Sequence, residues 1–388
     1  MEKLQERLSE HMHVLCDQIG ERYLGSEGEA KAADYIQRVF ERAGYRVLRE
    51  GFDAPGWRYG EYSLSIEKTG RSLPCFPCYY SQPCDVTGKL LLVDTDKLQG
   101  LDVKGRICFA PNRTSHEGVL GRNELAERLD EMGAAALIIV SCLHHTVDTK
   151  TVRTPRLNHL GVMCIAGETV WEVSRNIKSD FRVKIVAENF STRSSNIVAR
   201  VEGDRDKKAI ISAHYDTAPG IAGASDDAAG IAVLLELARL LKGKTNGYSL
   251  EFVAFSAEEY GDKGGGLGSF EYVRQHHAEL ERILWMSTLD CIALPFGQET
   301  IHVTRSWRMR DRAEQTANPY GLIVQNAPPV GDASVFHHHA IPTLSFINTS
   351  CWYELHSARD TLDIVSIDDL ANVCEAASAV FSQLLKEF

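Results

Sequence analysis

Five short polar clusters in this chain combine residue types that bind transition metals and move protons. They are His214-Tyr215-Asp216, Ser225-Asp226-Asp227, Glu258-Glu259, Asp290 and His356. Neutral imidazoles and ionised carboxylates are the nitrogen and oxygen donors that suit zinc in a roughly tetrahedral shell. Asp216, two residues after His214, is the kind of carboxylate that orients a ligating imidazole. Gathered without a cation, such groups would repel and raise one another's pKa. A pair of divalent ions removes that conflict. Asp226 would bridge them with its two oxygens, holding them about 3.5–4 Å apart, a separation useful for hydrolysis. His214 and Asp290 would complete one ion, and Glu259 and His356 the other. Glu258 would be left beside the metals as a proton acceptor.

Apolar runs precede three of these clusters. Residues 209–213 lead to His214, 250–255 to Glu258-Glu259, and 283–289 to Asp290, so each run is expected as a buried strand. Ile231, Leu234, Leu235, Ala238 and Leu241 recur at helical spacing, which places Asp226 at the mouth of a helix. Open α/β sheets bind their ligands at the C-terminal ends of strands, and these residues stand at such ends. From about residue 192 strands alternate with helices, which predicts a mostly parallel sheet covered on both faces. Residues 202–208 are expected as a charged hairpin between strands 196–201 and 209–213. The first 50 residues read as two helices joined by a turn-rich loop at 20–26. Residues 73–190 read as short strands with one helix at 124–132 and carry no catalytic constellation.

The chain has 388 residues, 44% hydrophobic and 24% charged, ordinary for a soluble protein with one large core or two domains. Its net charge of -11, with no basic stripe, excludes a nucleic-acid surface. No run approaches the roughly 20 apolar residues of a membrane helix. Residues 1–7 lack the apolar core of a secretory signal, so a cytoplasmic protein is expected. Cys75, Cys78 and Cys84 are expected as unpaired thiols, because no second Cys-x-x-Cys exists to complete a zinc site. Cys16, Cys108, Cys142, Cys164, Cys291 and Cys374 read as buried thiols. His144-His145 and His337-His338-His339 are expected in loops, and Gly264-Gly265-Gly266 lacks the Lys-Ser/Thr of a phosphate loop.

The ordered set His-x-Asp, Asp-Asp-x-x-Gly, Glu-Glu, Asp and His-x-x-x-Asp-Thr resembles the M28 zinc peptidases. Gly266-Leu267-Gly268-Ser269, Gly331-Asp332 and Ala340-Ile341-Pro342 add to the likeness. The resemblance implies a three-layer α/β/α zinc-peptidase domain with a central mostly parallel mixed sheet, built from residues 1–72 and 191–388. It implies two Zn2+ ions on His214, Asp226, Glu259, Asp290 and His356, with Glu258 and Asp216 as catalytic residues and peptides as substrates. Residues 73–190 resemble a β-rich protease-associated (PA) insert, through 102–107, 132–139 and 161–165. The implied activity is that of an aminopeptidase releasing N-terminal residues, with Glu258 as general base on a water between the metals. A carboxypeptidase or dipeptidase on the same site stays open; Arg359 and Arg305 are its candidate anchors for a terminal carboxylate. A non-catalytic binding relative and a glutaminyl-cyclase-like transferase are the remaining alternatives. Some relatives carry a tyrosine before the last histidine, where this chain has Leu355 and, two residues further back, Tyr353, so no oxyanion helper is assigned.

Overall fold

The structure, a computed structural model, describes residues 2–94, 98–111, 121–141, 145–260, 266–350 and 355–387. Cys142, His144, Gly264, Gly265 and Tyr353 lie outside the described residues. Contacts divide the chain into two units. Unit 1 is Met1–Ala54, Arg193–Leu355 and Arg359–Phe388; unit 2 is Pro55–Thr192 and His356–Ala358.

Unit 1 begins with α1 (Glu2–His13) and α2 (Glu27–Arg42). Ser26 starts α2 because its hydroxyl accepts the otherwise unsatisfied Glu29 N–H. Strand β1 (Arg46–Ile66) then leads into unit 2, where its end pairs with β2 (Arg71–Leu73). There follow β3 (Phe76–Pro77), β4 (Cys84–Leu92), β5 (Ile107–Ala110), α3 (Arg122–Glu131), β6 (Ala136–Val140), β7 (Gly161–Ile165), α4 (Val170–Arg175) and the first half of β8 (Asp180–Val201). β4 to β7 pair in parallel, with β8 and β3 antiparallel at the two sides. The two-residue period of β6 fills both faces: Leu137 and Ile139 pack with Leu125 and Leu129 of α3, whereas Ile138 and Val140 pack with Val173 of α4.

Unit 1 resumes with the second half of β8, then β9 (Lys208–His214), α5 (Ala229–Leu241), β10 (Ser249–Phe255), α6 (Leu267–Gln275), β11 (Ile283–Leu289), β12 (Glu299–Val303), α7 (Trp307–Ala317), β13 (Ile323–Gln325), α8 (Ala333–His338), β14 (Thr343–Asn348) and α9 (Ile367–Glu387). Its strands lie in the order β13-β12-β14-β11-β9-β10-β8. β10, β9, β11 and β14 run parallel, β8 opposes β10, and β12 opposes β14 while running parallel to β13. The sheet is therefore mixed and mostly parallel. Ile211, Ala213 and Phe252 face the core with α1, α2, α5, α7 and α9; Ile210, Val253 and Phe255 face α6 and α8.

Residues 202–208 do not form the expected hairpin. β10 lies between the two strands they join: Leu250 pairs with Val201 on one side and with Ala209 on the other. Two adjacent apolar runs look like hairpin arms locally, and the strand that separates them arrives some 40 residues later in the sequence. Cys75, Cys78 and Cys84 are free thiols. Among the described residues, no helix is long and apolar enough to cross a membrane.

Candidate metal centre

Register brings the clusters together. Phe255, the last residue of β10, pairs with His214, the last of β9. Thr288 of β11 pairs with Ser212, so Asp290 and His214 each stand two residues beyond that level. Asp226 reaches the same edge from Ala224–Ala228, the segment that enters α5; the Asp226–Asp227 peptide is cis. His214, Asp226 and Asp290 each offer one ligand atom, and the three atoms lie within 4.8 Å of one another. Asp226 also offers an oxygen within 4.8 Å of one from Glu259.

His214 is set up as a ligand. Its Nδ1 donates to the main-chain oxygen of Asp216 at 3.1 Å, which leaves the lone pair on Nε2. Nε2 lies 2.9 Å from Asp226 Oδ1 and 4.0 Å from Asp290 Oδ1, yet it is buried without a hydrogen bond of good geometry. Burial alone would lower this imidazole's pKa, but Asp216, Asp226 and Asp227 outweigh it and hold it well above the ordinary value. Burial pushes the Asp290 carboxyl up to about 6, with Asp226 and Glu258 adding to the rise. A site that must hold protons to balance its carboxylates is one that a divalent cation can occupy instead. One imidazole nitrogen and several carboxylates make a donor set that fits zinc.

Three buried carboxylates that face this edge clamp the ligand-bearing main chain. Asp216 Oδ1 and Oδ2 accept from the main-chain N–H groups of Glu258 and Glu259, both at 3.0 Å. Its carboxylate stands 3.6 Å from His214 Nδ1, so its hydrogen bonds serve the Glu-Glu turn more than the imidazole. Asp227 accepts from His214 N at 3.2 Å and from Gly230 N at 3.0 Å. Gly230 is required there: a Cβ would stand 2.4 Å from both Asp227 oxygens and 2.5 Å from Leu289 O. Asp360 accepts from Ser225 N at 2.7 Å and Asp226 N at 3.1 Å, tying Asp226 to a residue more than 130 positions away.

Glu258 is partly exposed and follows Ala257, whose φ is +58°. Gly331, at φ +52°, approaches both acids; a Cβ there would stand 2.3 Å from Asp290 Oδ2 and 3.6 Å from Glu258 Oε1. His356, φ +55°, lies on the short stretch that belongs to unit 2. There its carbonyl accepts from Thr149 N at 3.0 Å, and its Nδ1 lies 3.8 Å from Asp148 Oδ1. Arg305 is at the other end of the sheet, because Thr304 N bonds to Thr343 O, where β14 begins. His337 and His338 close α8 instead of lying in a loop, since Val335 and Phe336 hold that turn in the core.

Residues 196–381 match the model of Peptidase family M28. The chain carries a peptidase family M28 domain. Aminopeptidase YwaD of Bacillus subtilis (strain 168) is 24% identical, over 96% of this chain and 83% of that protein. Carboxypeptidase Q of Homo sapiens is also 24% identical, over 99% of this chain and 86% of that protein. The structure of BSAP, a zinc aminopeptidase from Bacillus subtilis, aligns with a TM-score of 0.80 at 22% identity, covering 98% of this chain and 94% of that one. These two folds are alike.

Sequence reasoning missed several residues that shape this edge. Glu29 of α2 accepts from Ser194 Oγ, Ser256 Oγ and Gly25 N, beneath the turn that carries Glu258; burial pushes its carboxyl up to about 7. Asp332 is buried near Glu258 and is pushed up to about 8, first by burial and then by that neighbour's charge. Arg22, in the loop between the first helices, is fully buried.

Proposed function

We propose that this chain is a two-zinc peptidase acting as an aminopeptidase. The observation that carries this reading is the His214–Asp226–Asp290 group, in which the buried Nε2 lies near two carboxylates without a hydrogen bond of good geometry. His214 and Asp290 would hold one ion, Glu259 and His356 the other, and Asp226 both. Bound zinc would bring the pKa of water toward about 7 and polarise the scissile carbonyl.

The chain's own residues do the rest. Asp216 fixes the Glu258–Glu259 main chain, so the two carboxylates leave the turn in set directions. Glu258 takes a proton from the attacking water on its carboxylate and delivers it to the departing amine. Asp227 and Asp360 hold His214 and Asp226 in place, as partners behind metal ligands do. Similarity to Aminopeptidase YwaD supports the amino-terminal polarity. Similarity to Carboxypeptidase Q favours a second reading, a carboxypeptidase or dipeptidase. With Arg305 at the far end of the sheet, Arg359 remains its candidate anchor. Residues 73–190, within unit 2, are proposed as a PA-type insert.

A panel of free and N-acetylated peptides, read by mass spectrometry alongside metal analysis, tests the reading. About two zinc ions per chain and stepwise loss of N-terminal residues from free peptides are expected. Release of C-terminal residues from acetylated peptides would replace the aminopeptidase by the second reading, and a metal-free inert protein would remove both.

A further inference from the structure

Arg22 is a cation buried without a carboxylate contact. Its side chain is 0% exposed, and every hydrogen bond it makes goes to a main-chain carbonyl. Nε donates to Tyr215 O at 2.9 Å. Nη1 donates to Leu15 O, Gly20 O and Ala222 O at 3.0, 2.8 and 2.7 Å, and Nη2 donates to Gly223 O at 3.1 Å. The main chain joins in: Arg22 N donates to Thr217 Oγ1 at 2.9 Å, and the neighbouring Glu21 Oε2 accepts from Gly220 N at 2.8 Å. Tyr215, Thr217, Gly220, Ala222 and Gly223 all belong to the one loop that starts at His214 and ends at Asp226.

We infer that Arg22 is a positioning residue for the metal centre, its guanidinium fixing the 215–223 loop and so the placement of His214 relative to Asp226. This rests on the metallopeptidase reading above. Burying a guanidinium is costly, and a helix–loop contact in an apolar core does not need one. What the planar fork supplies is several donors in fixed directions, enough to hold both ends of one loop at once. An ammonium has the charge but not that geometry. The charge also lies near Asp216, Asp227 and Asp360, the carboxylates that clamp the ligand-bearing main chain. The loop itself has no regular secondary structure, so Arg22 supplies the ladder that a strand or helix would have given.

The test uses the purified full-length protein as wild type, Arg22→Lys and Thr217→Val. Each is stripped of metal, titrated with Co2+, and followed by visible absorption and by chelator competition; metal-free melting is recorded beside it. Arg22→Lys is expected to bind cobalt about 10–100-fold more weakly with an altered spectrum, as when partners behind metal ligands are removed. With zinc, kcat should fall at little-changed KM. Thr217→Val should shift affinity in the same direction by less. Wild-type cobalt affinity and spectrum in Arg22→Lys, with only melting lowered, would overturn the inference by making Arg22 a core residue alone. If Arg22→Lys does not fold, an unchanged cobalt affinity in Thr217→Val overturns it. A wild type that takes no cobalt would instead overturn the metal reading on which it rests.

Discussion

β9 and β10 each bury ionisable groups at both ends, and the two ends are built on opposite principles. At their N-terminal ends Lys208, 2% exposed, donates to Glu251 Oε1 at 3.1 Å, Tyr272 OH at 3.1 Å and Glu279 Oε2 at 3.2 Å. Tyr272 donates in turn to Glu251. Charge is balanced there by side chains, and the network is closed. At the C-terminal ends Asp216, Asp226, Asp227 and Asp290 gather around one histidine, and burial raises the pKa of three of these carboxyls. A closed buried network acts as structure, whereas an unbalanced one marks a place where an ion or substrate supplies the missing charge.

Variants at the two ends should therefore fail differently. The largest effect is expected from Glu258→Gln, with kcat lower by about 10²–10⁴-fold and metal content unchanged, read by steady-state kinetics and metal analysis. Unchanged turnover would remove Glu258 as the base. Lys208→Met, at the closed end, removes the nearer and more buried of the two cations beside Glu251, leaving it Arg200 Nε at 3.4 Å. It should cost about 3–5 kcal/mol in urea unfolding while metal affinity stays at wild type. If metal affinity fell with stability, the two ends would not be independent. Asp360→Asn, at the open end, should show the reverse pattern: metal affinity weaker by about 10–100-fold and a smaller change in unfolding.

The smallest effect is the response to pH. Burial raises the Asp360 carboxyl from 3.8 to about 7 and that of Glu29 from 4.5 to about 7. The folded metal-free protein therefore holds protons that the unfolded chain has released. That stabilisation is complete below pH 3.8 and is lost as pH rises through about 7. Metal-free protein should melt lower at pH 8 than at pH 5, and zinc should shrink the difference. A metal-free melting temperature that rises over that range would contradict the unbalanced charge assigned to the open end.

The open end was legible in the sequence because its residues end apolar runs. His214, Glu258-Glu259 and Asp290 each follow a strand-length stretch, and parallel strands place such endings on one side. The strand order was not legible, since nothing local in 196–213 says that β10 will come between. The clamps were hidden for a similar reason. Asp360 with Asp226, Glu29 with Ser256 and Arg22 with Tyr215 are hydrogen bonds across long sequence separations, which leave no spacing to recognise. The closed end was missed altogether, because Lys208 reads as the last residue of a charged hairpin and Glu251 is one charge inside an otherwise apolar run.

The place of β10 between β8 and β9 has a consequence for biosynthesis. A ribosome that has released β8 and β9 has released two apolar strands that cannot zip together, because the ladder each needs on that side is still unmade. Their shared partner emerges only with residues 249–255, and the other neighbour of β9 only with 283–289. Until then the nascent chain carries open, sticky edges, the kind that non-local pairing leaves exposed to chaperones or to aggregation. The strand that delivers His214 is thus among the first of its sheet to be made and must wait for later ones to be seated.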